Sequence, residues 1–495
     1  MTSSSRSTVP NGSEPALGSL DIAETIAQRA AAEVPAYRHF LASRNISPGT
    51  PFTGLPRVDK ANYLSQHDFA TLMGGDFTET FTIFKSSGSS GHSFYWPQRK
   101  DNHRFARQGM QNLLEQIFQI DRKPTLAVVG LALGSWIGGE HLSWLLKSVA
   151  METPYPFAVF SPGSQHREII EVTVKASRFV DQIIVVVCPS AIGHLMLLAE
   201  QSGQALPLEK MRFIVVGEAF PEMVRLGLHK RCGRPLTEPM MVSMYGSADT
   251  GALGVESGAS IAVRQILAQD QMASRALGFG ASPPHFFHSC APDAYLESIR
   301  GELCVTRWQG IPLVRYNLHD SVTFYRWAAF RKELLARRTV TAAAPELFAV
   351  LEAAGDKQPD LIAVAGRSDS GLILCGTNLS ETMLDAAVRS PELQPWVTGQ
   401  YKARITIDDD RQFLEFDLEF LKEVTADAAT LDKVYQALVQ AIGREQPEFL
   451  DDWRNIYSTW DRDPERRILR LRPFVWPELS QRIEKEMKQR GVQVR

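Results

Sequence analysis

Four short runs of apolar residues do most to limit the fold of this chain. They occupy residues 126–133, 183–188, 213–216 and 240–245. Segments with helical character, residues 190–201 and 221–230, lie between or after them. Short continuous apolar strands separated by helices are typical of a mostly parallel sheet that is covered on both faces. The pattern therefore predicts a large α/β domain.

Small or polar residues follow several of these predicted strands. Gly134 follows the first run, Gly217 and Glu218 follow the third, and residues 246–249 follow the fourth. Ligands of such sheets bind beyond the carboxyl ends of the strands. Taken singly, each of these segments is also typical of an ordinary strand-to-helix turn. Together they indicate which edge of the sheet would carry a site.

A loop of serines and glycines at residues 86–91 is a candidate anion site. A predicted strand at 82–84 precedes it, and residues 95–97 predict a return to extended chain. Small residues allow backbone N–H groups and hydroxyls to converge on an anion. The loop lacks the G-K-S/T ending and the following helix of a Walker-type loop. A flexible turn or linker is the alternative interpretation.

The composition narrows the class of protein and its surroundings. With 495 residues the chain is long enough for two to four domains or subdomains. Its 44% hydrophobic and 22% charged residues and net charge of -3 favour a globular protein without a nucleic-acid partner. Residues 1–20 contain no apolar core, which predicts a disordered tail rather than a signal peptide or membrane span. We therefore expect no membrane partner.

The five cysteines lie far apart and include no C-x-x-C pair. This spacing argues against a disulfide framework and a zinc ribbon, and it favours a reducing, cytoplasmic location. A metal cluster of His285, His288, Cys290 and Cys304 is a minor alternative to scattered structural residues.

Residues 366–371, with two glycines and three small polar residues, predict a boundary between residues 21–365 and 366–495. Beyond it, Leu414, Phe416, Leu418 and Phe420 alternate with acidic residues, which predicts a half-buried strand with one solvated face. A helical stripe at 431–438 follows. The C-terminal segment is therefore predicted to be a small α+β domain.

Five stretches occur in the order seen in the adenylate-forming superfamily, and the chain most resembles its phenylacetate-CoA ligase-like branch. Residues 84–91 resemble the S-S-G-T-T-G phosphate loop, 216–219 the G-E-A/P turn, and 245–249 the Y-G-x-T-E motif. Residues 301–320 resemble the G-E-L, P-L-I-R-Y, G-D block, and 366–378 the hinge segment. The resemblance implies a large N-terminal domain of mixed, largely parallel sheets with flanking helices, which binds ATP and the acyl group. It also implies a small mobile C-terminal α+β domain.

In that family a carboxylic acid attacks the α-phosphate of ATP, pyrophosphate leaves, and the acyl-adenylate passes its acyl group to an acceptor. The resemblance implies ATP and Mg²⁺ as cofactors, an aromatic acid as substrate and the thiol of coenzyme A (CoA) as acceptor. An amide synthetase with an amine acceptor and a degenerate, non-catalytic nucleotide or acyl binder are the alternatives. The branch also suggests a homodimer.

The resemblance implies a role for each matching residue. The phosphates of ATP would be held by Ser86, Ser87, Gly88, Ser89, Ser90 and Gly91. The rest of the nucleotide would be bound by Glu218, Ala219, Tyr245, Gly246, Ser247, Asp320 and Arg367, of which Asp320 and Arg367 contact the ribose. Asp249 would hold Mg²⁺, Trp136 and Gly138 would shape the acyl pocket, and Asp369 would act as the hinge.

Three departures from the family pattern bear on catalysis. His92 stands where the family commonly has Lys after the phosphate loop, so a fixed charge is replaced by one that depends on pH. Asp249 replaces Glu at the metal position and shortens its reach by one methylene. The C-terminal P-x-G-K signature has no match after residue 440, and Lys485 and Lys488 do not resemble its Lys. Arg467 and Arg470 are nearby candidates for supplying charge, and no catalytic role is assigned to them.

Overall fold

The structure is a computed structural model that divides the chain into two compact units. It describes residues 13–14, 16–47, 49–74, 77–85, 94–131, 133–135, 137–217, 219–279, 283–338, 344–367, 372–374, 377–379, 381–408, 411–446, 449–450, 453–454, 458, 461 and 463–483. The larger unit comprises residues 1–218, 225–273 and 284–365, and the smaller comprises 219–224, 274–283 and 366–495.

Strands β1 to β15 lie in the part of the chain up to residue 367. They are β1 (Ser13–Glu14), β2 (Ala16–Leu17), β3 (Thr80–Lys85), β4 (Tyr95–Arg99), β5 (Thr125–Val129), β6 (Phe157–Phe160), β7 (Gln182–Val187), β8 (Met211–Val215), β9 (Met241–Ser247), β10 (Gly251–Val255), β11 (His285–Ser289), β12 (Ala294–Ile299), β13 (Glu302–Arg307), β14 (Leu313–Tyr325) and β15 (Leu361–Arg367). All except the β3–β4 hairpin join one sheet in the order β2-β12-β13-β14-β15-β11-β10-β9-β8-β7-β5-β6, with β1 beside β14.

The sheet is mixed, because its strands are parallel in one part and antiparallel in another. From β6 to β9 the strands are parallel, and the four predicted apolar runs are β5, β7, β8 and β9. From β9 through β10 and β11 to β15 the pairs are antiparallel, as are those from β12 to β14. The predicted α/β class with mixed sheets is confirmed. The additional strand β6 has exposed alternate residues and so lacks the continuous apolar run that marks the others.

Helices α1 to α12 lie between these strands along the sequence. They are α1 (Leu20–Glu33), α2 (Pro35–Ala42), α3 (Phe69–Leu72), α4 (Lys100–Phe118), α5 (Ile137–Glu152), α6 (His166–Ala176), α7 (Pro189–Gln201), α8 (Glu222–Cys232), α9 (Gly258–Gln269), α10 (Gln271–Ala276), α11 (Trp327–Leu335) and α12 (Pro345–Ala354). Met110, Leu114 and Phe118 of α4 pack against β5 and β7 in one hydrophobic cluster. Burial of each such side chain stabilises the fold by roughly 1.5 to 3 kcal/mol.

The sequence explains where two of these helices begin. Helix α4 begins at Lys100, and Asp101 lies in its first turn, where it pairs with Arg99 at 3.3 Å. Helix α2 begins at Pro35, because proline is tolerated in the first helical turn, where its missing N–H costs nothing, and Tyr37 and Phe40 of this helix are buried.

The smaller unit contains two sheets and two longer helices. Its elements are β16 (Leu372–Leu374), β17 (Thr377–Leu379), α13 (Glu381–Val388), β18 (Val397–Asp408), β19 (Arg411–Phe420), α14 (Ala428–Glu445) and β20 (Leu469–Val475). β16 and β17 form a hairpin. β19 pairs antiparallel with β18 and parallel with β20. The predicted small α+β architecture is confirmed.

Strand β19 has the predicted alternation, but its polar face is not solvated. Leu414, Phe416, Leu418 and Phe420 are fully buried, as expected. Asp417 is buried beside Arg404, at 3.0 Å, and Glu419 is buried and accepts hydrogen bonds from Ser480. Ionic and polar partners from neighbouring segments therefore cover the face that the sequence pattern assigned to water.

Candidate active site

The end of β9 and the turn that leads to β10 carry four of the predicted site residues, Tyr245, Gly246, Ser247 and Asp249. Ser247 Oγ accepts hydrogen bonds from the backbone N–H groups of Asp249 and Thr250, each at 3.2 Å. A serine side chain that binds the backbone two and three residues ahead fixes a tight turn. At Gly246 a Cβ atom would lie 2.3 Å from the carbonyl oxygen of Gly251. This close approach of the two strands requires glycine.

Tyr245 and Asp320 meet although 75 positions separate them in the sequence. The Tyr245 hydroxyl donates to Asp320 Oδ2 over 2.5 Å, and the ring of Tyr245 stacks on Phe287 at 5.3 Å between centroids. Asp320 is only 9% exposed. A short bond from a hydroxyl to a carboxylate is among the stronger hydrogen bonds in proteins, so it fixes the orientation of this carboxylate.

Asp249 forms a second polar centre in the same unit. Its side chain is 3% exposed, and one oxygen, Oδ2, receives both the hydroxyl of Tyr316 at 2.5 Å and the ammonium of Lys60 at 3.1 Å. The amide of Gln309 donates to its main-chain carbonyl. Burying a carboxylate is costly unless it is paired and hydrogen-bonded, and these contacts meet that requirement.

Sequence reasoning missed Lys60, Gln309 and the role of Tyr316. Tyr316 lies inside the 301–320 block that carried the resemblance, so its motif could have identified it. Lys60 lies in a short polar segment with no pattern of its own. Only the folded chain brings it to Asp249.

Strand β14 carries both Asp320 and Tyr316, the residue that contacts Asp249, and its backbone is irregular. Arg315 and His319 have positive φ angles of 51° and 59°, which are uncommon for residues other than glycine. The register between β13 and β14 shifts at these positions. The guanidinium of Arg315 stabilises the first irregularity, because it forms two bonds to Glu297 and donates to the carbonyls of Thr53 and Leu55. The shift re-aims the side chains of the strand, as bulges commonly do at functional sites.

A Mg²⁺ ion does not fit Asp249 in the arrangement described. The best-placed oxygen already binds an ammonium and a hydroxyl, whereas Mg²⁺ requires near-octahedral oxygen ligands. Among the described residues no three His, Cys, Asp or Glu side chains form a group that could hold a metal, which also leaves the His285 cluster without support.

Several predicted residues lie outside the described part of the chain. They are Ser86, Ser87, Gly88, Ser89, Ser90, Gly91, His92, Trp136, Glu218 and Asp369. The segments that flank two of these predictions do meet. The backbone N–H of Lys85 donates to the carbonyl of Ser135 at 2.7 Å, which joins the end of β3 to the residue before Trp136.

The remaining predicted residues are placed by the structure without a demonstrated role. Gly138 lies in the first turn of α5, is exposed, and has open space where a Cβ atom would be. Ala219 belongs to the smaller unit and is exposed. Arg367 ends β15, and its side chain lies outside the described atoms.

The predicted C-terminal arginines make structural contacts. Arg467 pairs with Asp432 at 2.5 Å and lies over the ring of Tyr435. Arg470 lies over the ring of Phe413 at 3.5 Å. All of these contacts lie within the smaller unit.

Neither the protein family descriptions nor the curated proteins compared with the chain match it. Solved structures do. The crystal structure of 2-hydroxyisobutyryl-CoA ligase in the postadenylation state with R3-HIB-AMP has a TM-score of 0.61 at 13% identity, over 92% of this chain and 85% of that one. The same ligase with 2-HIB-AMP and CoA in the thioesterification state has a TM-score of 0.50 at 13% identity, over 95% and 91%. The GH3.15 acyl acid amido synthetase has a TM-score of 0.56 at 11% identity, over 94% and 89%. The chain therefore shares the fold of these CoA ligase and amido synthetase structures.

Proposed function

We propose that this chain is an AMP-forming ligase that activates a carboxylic acid as its acyl-adenylate. The observation that carries the proposal is the junction of Tyr245 with Asp320 beside Asp249, at the carboxyl end of β9. Parallel sheets bind their ligands beyond that end. The fold is shared with proteins whose names describe CoA ligases and an amido synthetase.

In this proposal Asp320 and Arg367 bind the ribose hydroxyls, and Tyr245 lies beside the adenine. The Tyr245 hydroxyl occupies one oxygen of Asp320 and thereby orients the carboxylate toward two neighbouring hydroxyls of the nucleotide. Gly246, Ser247, Glu218 and Ala219 would complete the nucleotide site. Because each hydrogen bond to a charged group contributes roughly 1.5 to 3 kcal/mol, the bonds of Asp320 and Arg367 would dominate the binding of the ribose.

Two anions must approach each other in the first half-reaction. An oxygen of the acid forms a bond to the α-phosphorus while the bond to the β-phosphate bridge breaks, and pyrophosphate leaves with both electrons. The loop 86–91 would hold the departing phosphates, His92 would add a pH-dependent charge, and Lys60 would contribute a fixed positive charge next to Asp249. Mg²⁺ that arrives with ATP would have to compete with Lys60 for the Asp249 carboxylate.

In the second half-reaction the acceptor attacks the acyl carbon and AMP leaves. We propose the CoA thiol as acceptor and an aromatic acid, bound near Trp136 and Gly138, as substrate. By the same resemblance residues 366–495 would rotate about Asp369 between the half-reactions, and the chain would form a homodimer. The scattered cysteines favour a cytoplasmic location. Among the described helices none is long and apolar enough to cross a membrane.

An amine acceptor is the second candidate, because the amido synthetase is about as similar in fold as the CoA ligase. A non-catalytic binder is the third, since Asp249 replaces Glu and the C-terminal Lys has no counterpart. A panel of aromatic and aliphatic acids should be incubated with ATP and either CoA or amino acids, and the acyl products identified by mass spectrometry. A thioester supports the first candidate and an amide supports the second. ATP binding without any acyl product would support the third and reject the proposal.

A further inference from the structure

A cleft of about 410 Å³ opens on the larger unit between α2 and the segment at residues 62–67. The side chains of His39, Arg44, Asn62, Gln66 and His67 line it around the ring of Phe40. None of these residues belongs to the proposed nucleotide or acyl site. The cleft is therefore distinct from both of those sites.

The cleft offers hydrogen-bond donors and positive charge, without a carboxylate in its lining. The rings of His39 and His67 lie 5.5 Å apart, and the guanidinium of Arg44 lies 3.7 Å above the centroid of Phe40. The amide nitrogens of Asn62 and Gln66 each donate to a backbone carbonyl, of Arg57 and Ala61, and each carries a second N–H. A planar guanidinium that is held in place beside imidazoles is well suited to a multiply charged oxyanion.

The surroundings of His67 disfavour its protonated form. Desolvation, His39 and Arg44 lower the pKa of His67, and the charge of Asp68 acts in the opposite direction. An anion bound beside His67 and Arg44 would offset this effect and favour the protonated imidazole of His67. Binding would then take up protons and strengthen as the pH falls, by linkage.

We propose that this cleft binds a phosphate group, either as free phosphate or as the phosphate of a small ester. It is separate in sequence from the proposed loop at 86–91. Asn62 also connects the cleft to the turn that carries Lys60, because its side chain and backbone exchange hydrogen bonds with Asp59 at 2.9 and 2.7 Å. The proposal does not depend on the ligase activity.

Titration calorimetry of the full chain with inorganic phosphate and with glycerol 3-phosphate tests the site. At pH 6 we expect saturable binding that Arg44→Gln or His67→Gln weakens about tenfold each. Between pH 6 and pH 8 the affinity of the wild type should fall relative to that of His67→Gln, because only the wild type loses the charge of this imidazole, whereas the ionisation of the phosphate is common to both proteins. Tighter binding of the ester than of phosphate would identify an ester as the ligand, and tighter binding of phosphate would identify the free anion.

The matched control is Arg38→Gln, which removes an exposed arginine from the same helix. The guanidinium of Arg38 donates a hydrogen bond to the carbonyl of Ala32. Its affinity for phosphate should equal that of the wild type. Circular dichroism should confirm that every variant is folded. An absence of saturable binding to the wild type, or binding that Arg44→Gln and Arg38→Gln leave equally unchanged, would overturn the proposal. Binding lost in Gly88→Asp but retained in Arg44→Gln would place the phosphate at the 86–91 loop and also overturn it.

Discussion

Asp320 is the residue on which the proposed nucleotide site depends most. The variant Asp320→Ala should reduce ATP affinity by at least about 3 kcal/mol, the loss of two charge-assisted hydrogen bonds of about 1.5 kcal/mol each at the low end. Tyr245→Phe is the matched control, because it removes only the hydroxyl that orients Asp320 and keeps the ring on Phe287. It should cost about 1 kcal/mol. Calorimetry with ATP measures both, and unchanged affinity in Asp320→Ala would remove this residue from the site.

The contact of Lys60 with Asp249 leads to a prediction about stability. The variant Lys60→Met leaves the buried Asp249 with Tyr316 as its remaining side-chain partner among the described contacts. Because Lys60 is 37% exposed, we expect a loss of only about 1 to 2 kcal/mol in the free energy of unfolding, measured in urea. Lys175→Met, which breaks an exposed pair with Glu171, should change stability by less than about 0.5 kcal/mol. Equal effects of the two variants would show that the Lys60 contact is no stronger than a surface pair.

His141 predicts a pH dependence of stability. Its ring stacks on Phe84, its Nε2 has no partner among the described atoms, and burial lowers its pKa to about 4. The unfolded chain binds this proton near pH 6.5 and the folded chain only near pH 4. Stability should therefore be complete above pH 6.5 and decrease as the pH falls toward 4, by up to about 3 kcal/mol.

The comparison variant is His141→Gln, which retains a polar side chain but cannot titrate. Urea unfolding at pH 7 and pH 5 should show a smaller difference in free energy for this variant than for the wild type. Identical differences in the two proteins would assign the pH dependence to other groups.

At the scale of elements, the sequence predicts a strand or helix well where the segment has one clear periodicity. It does not predict the burial of a side chain that is covered by residues from a distant part of the chain. The runs that became β5, β7, β8 and β9 are buried on both faces and could be read locally. The polar face of β19 could not, because its carboxylates are covered by Arg404 and Ser480 from other segments. The same limit applies to the site: motifs identified Tyr245 and Asp320, whereas the contact of Lys60 with Asp249 arises only on folding.

The β9–β10 hairpin offers a prediction at this scale. Gly246→Ala would place a Cβ atom 2.3 Å from the backbone of the opposite strand, so we expect a loss of about 1 to 3 kcal/mol through displacement of the hairpin. Gly138→Ala, in the open first turn of α5, should be neutral or slightly stabilising. Thermal unfolding compares the two. A fully stable Gly246→Ala protein would mean that the hairpin does not require this close approach.

At the scale of the whole molecule, the fold agrees with the order of motifs along the chain. Identity to the ligase and synthetase structures is only 13% and 11%, so the shared architecture carries no information about the acid or the acceptor. Chemistry therefore has to be measured on this chain.

Release of pyrophosphate from ATP reports the formation of the acyl-adenylate itself. The wild type should be incubated with ATP and a panel of carboxylic acids, with Asp320→Ala and Gly88→Asp as folded controls. We predict release that depends on one class of acid, increases when the correct acceptor is added, and is lost in both variants. A folded wild type that binds ATP but releases no pyrophosphate with any acid would contradict the account.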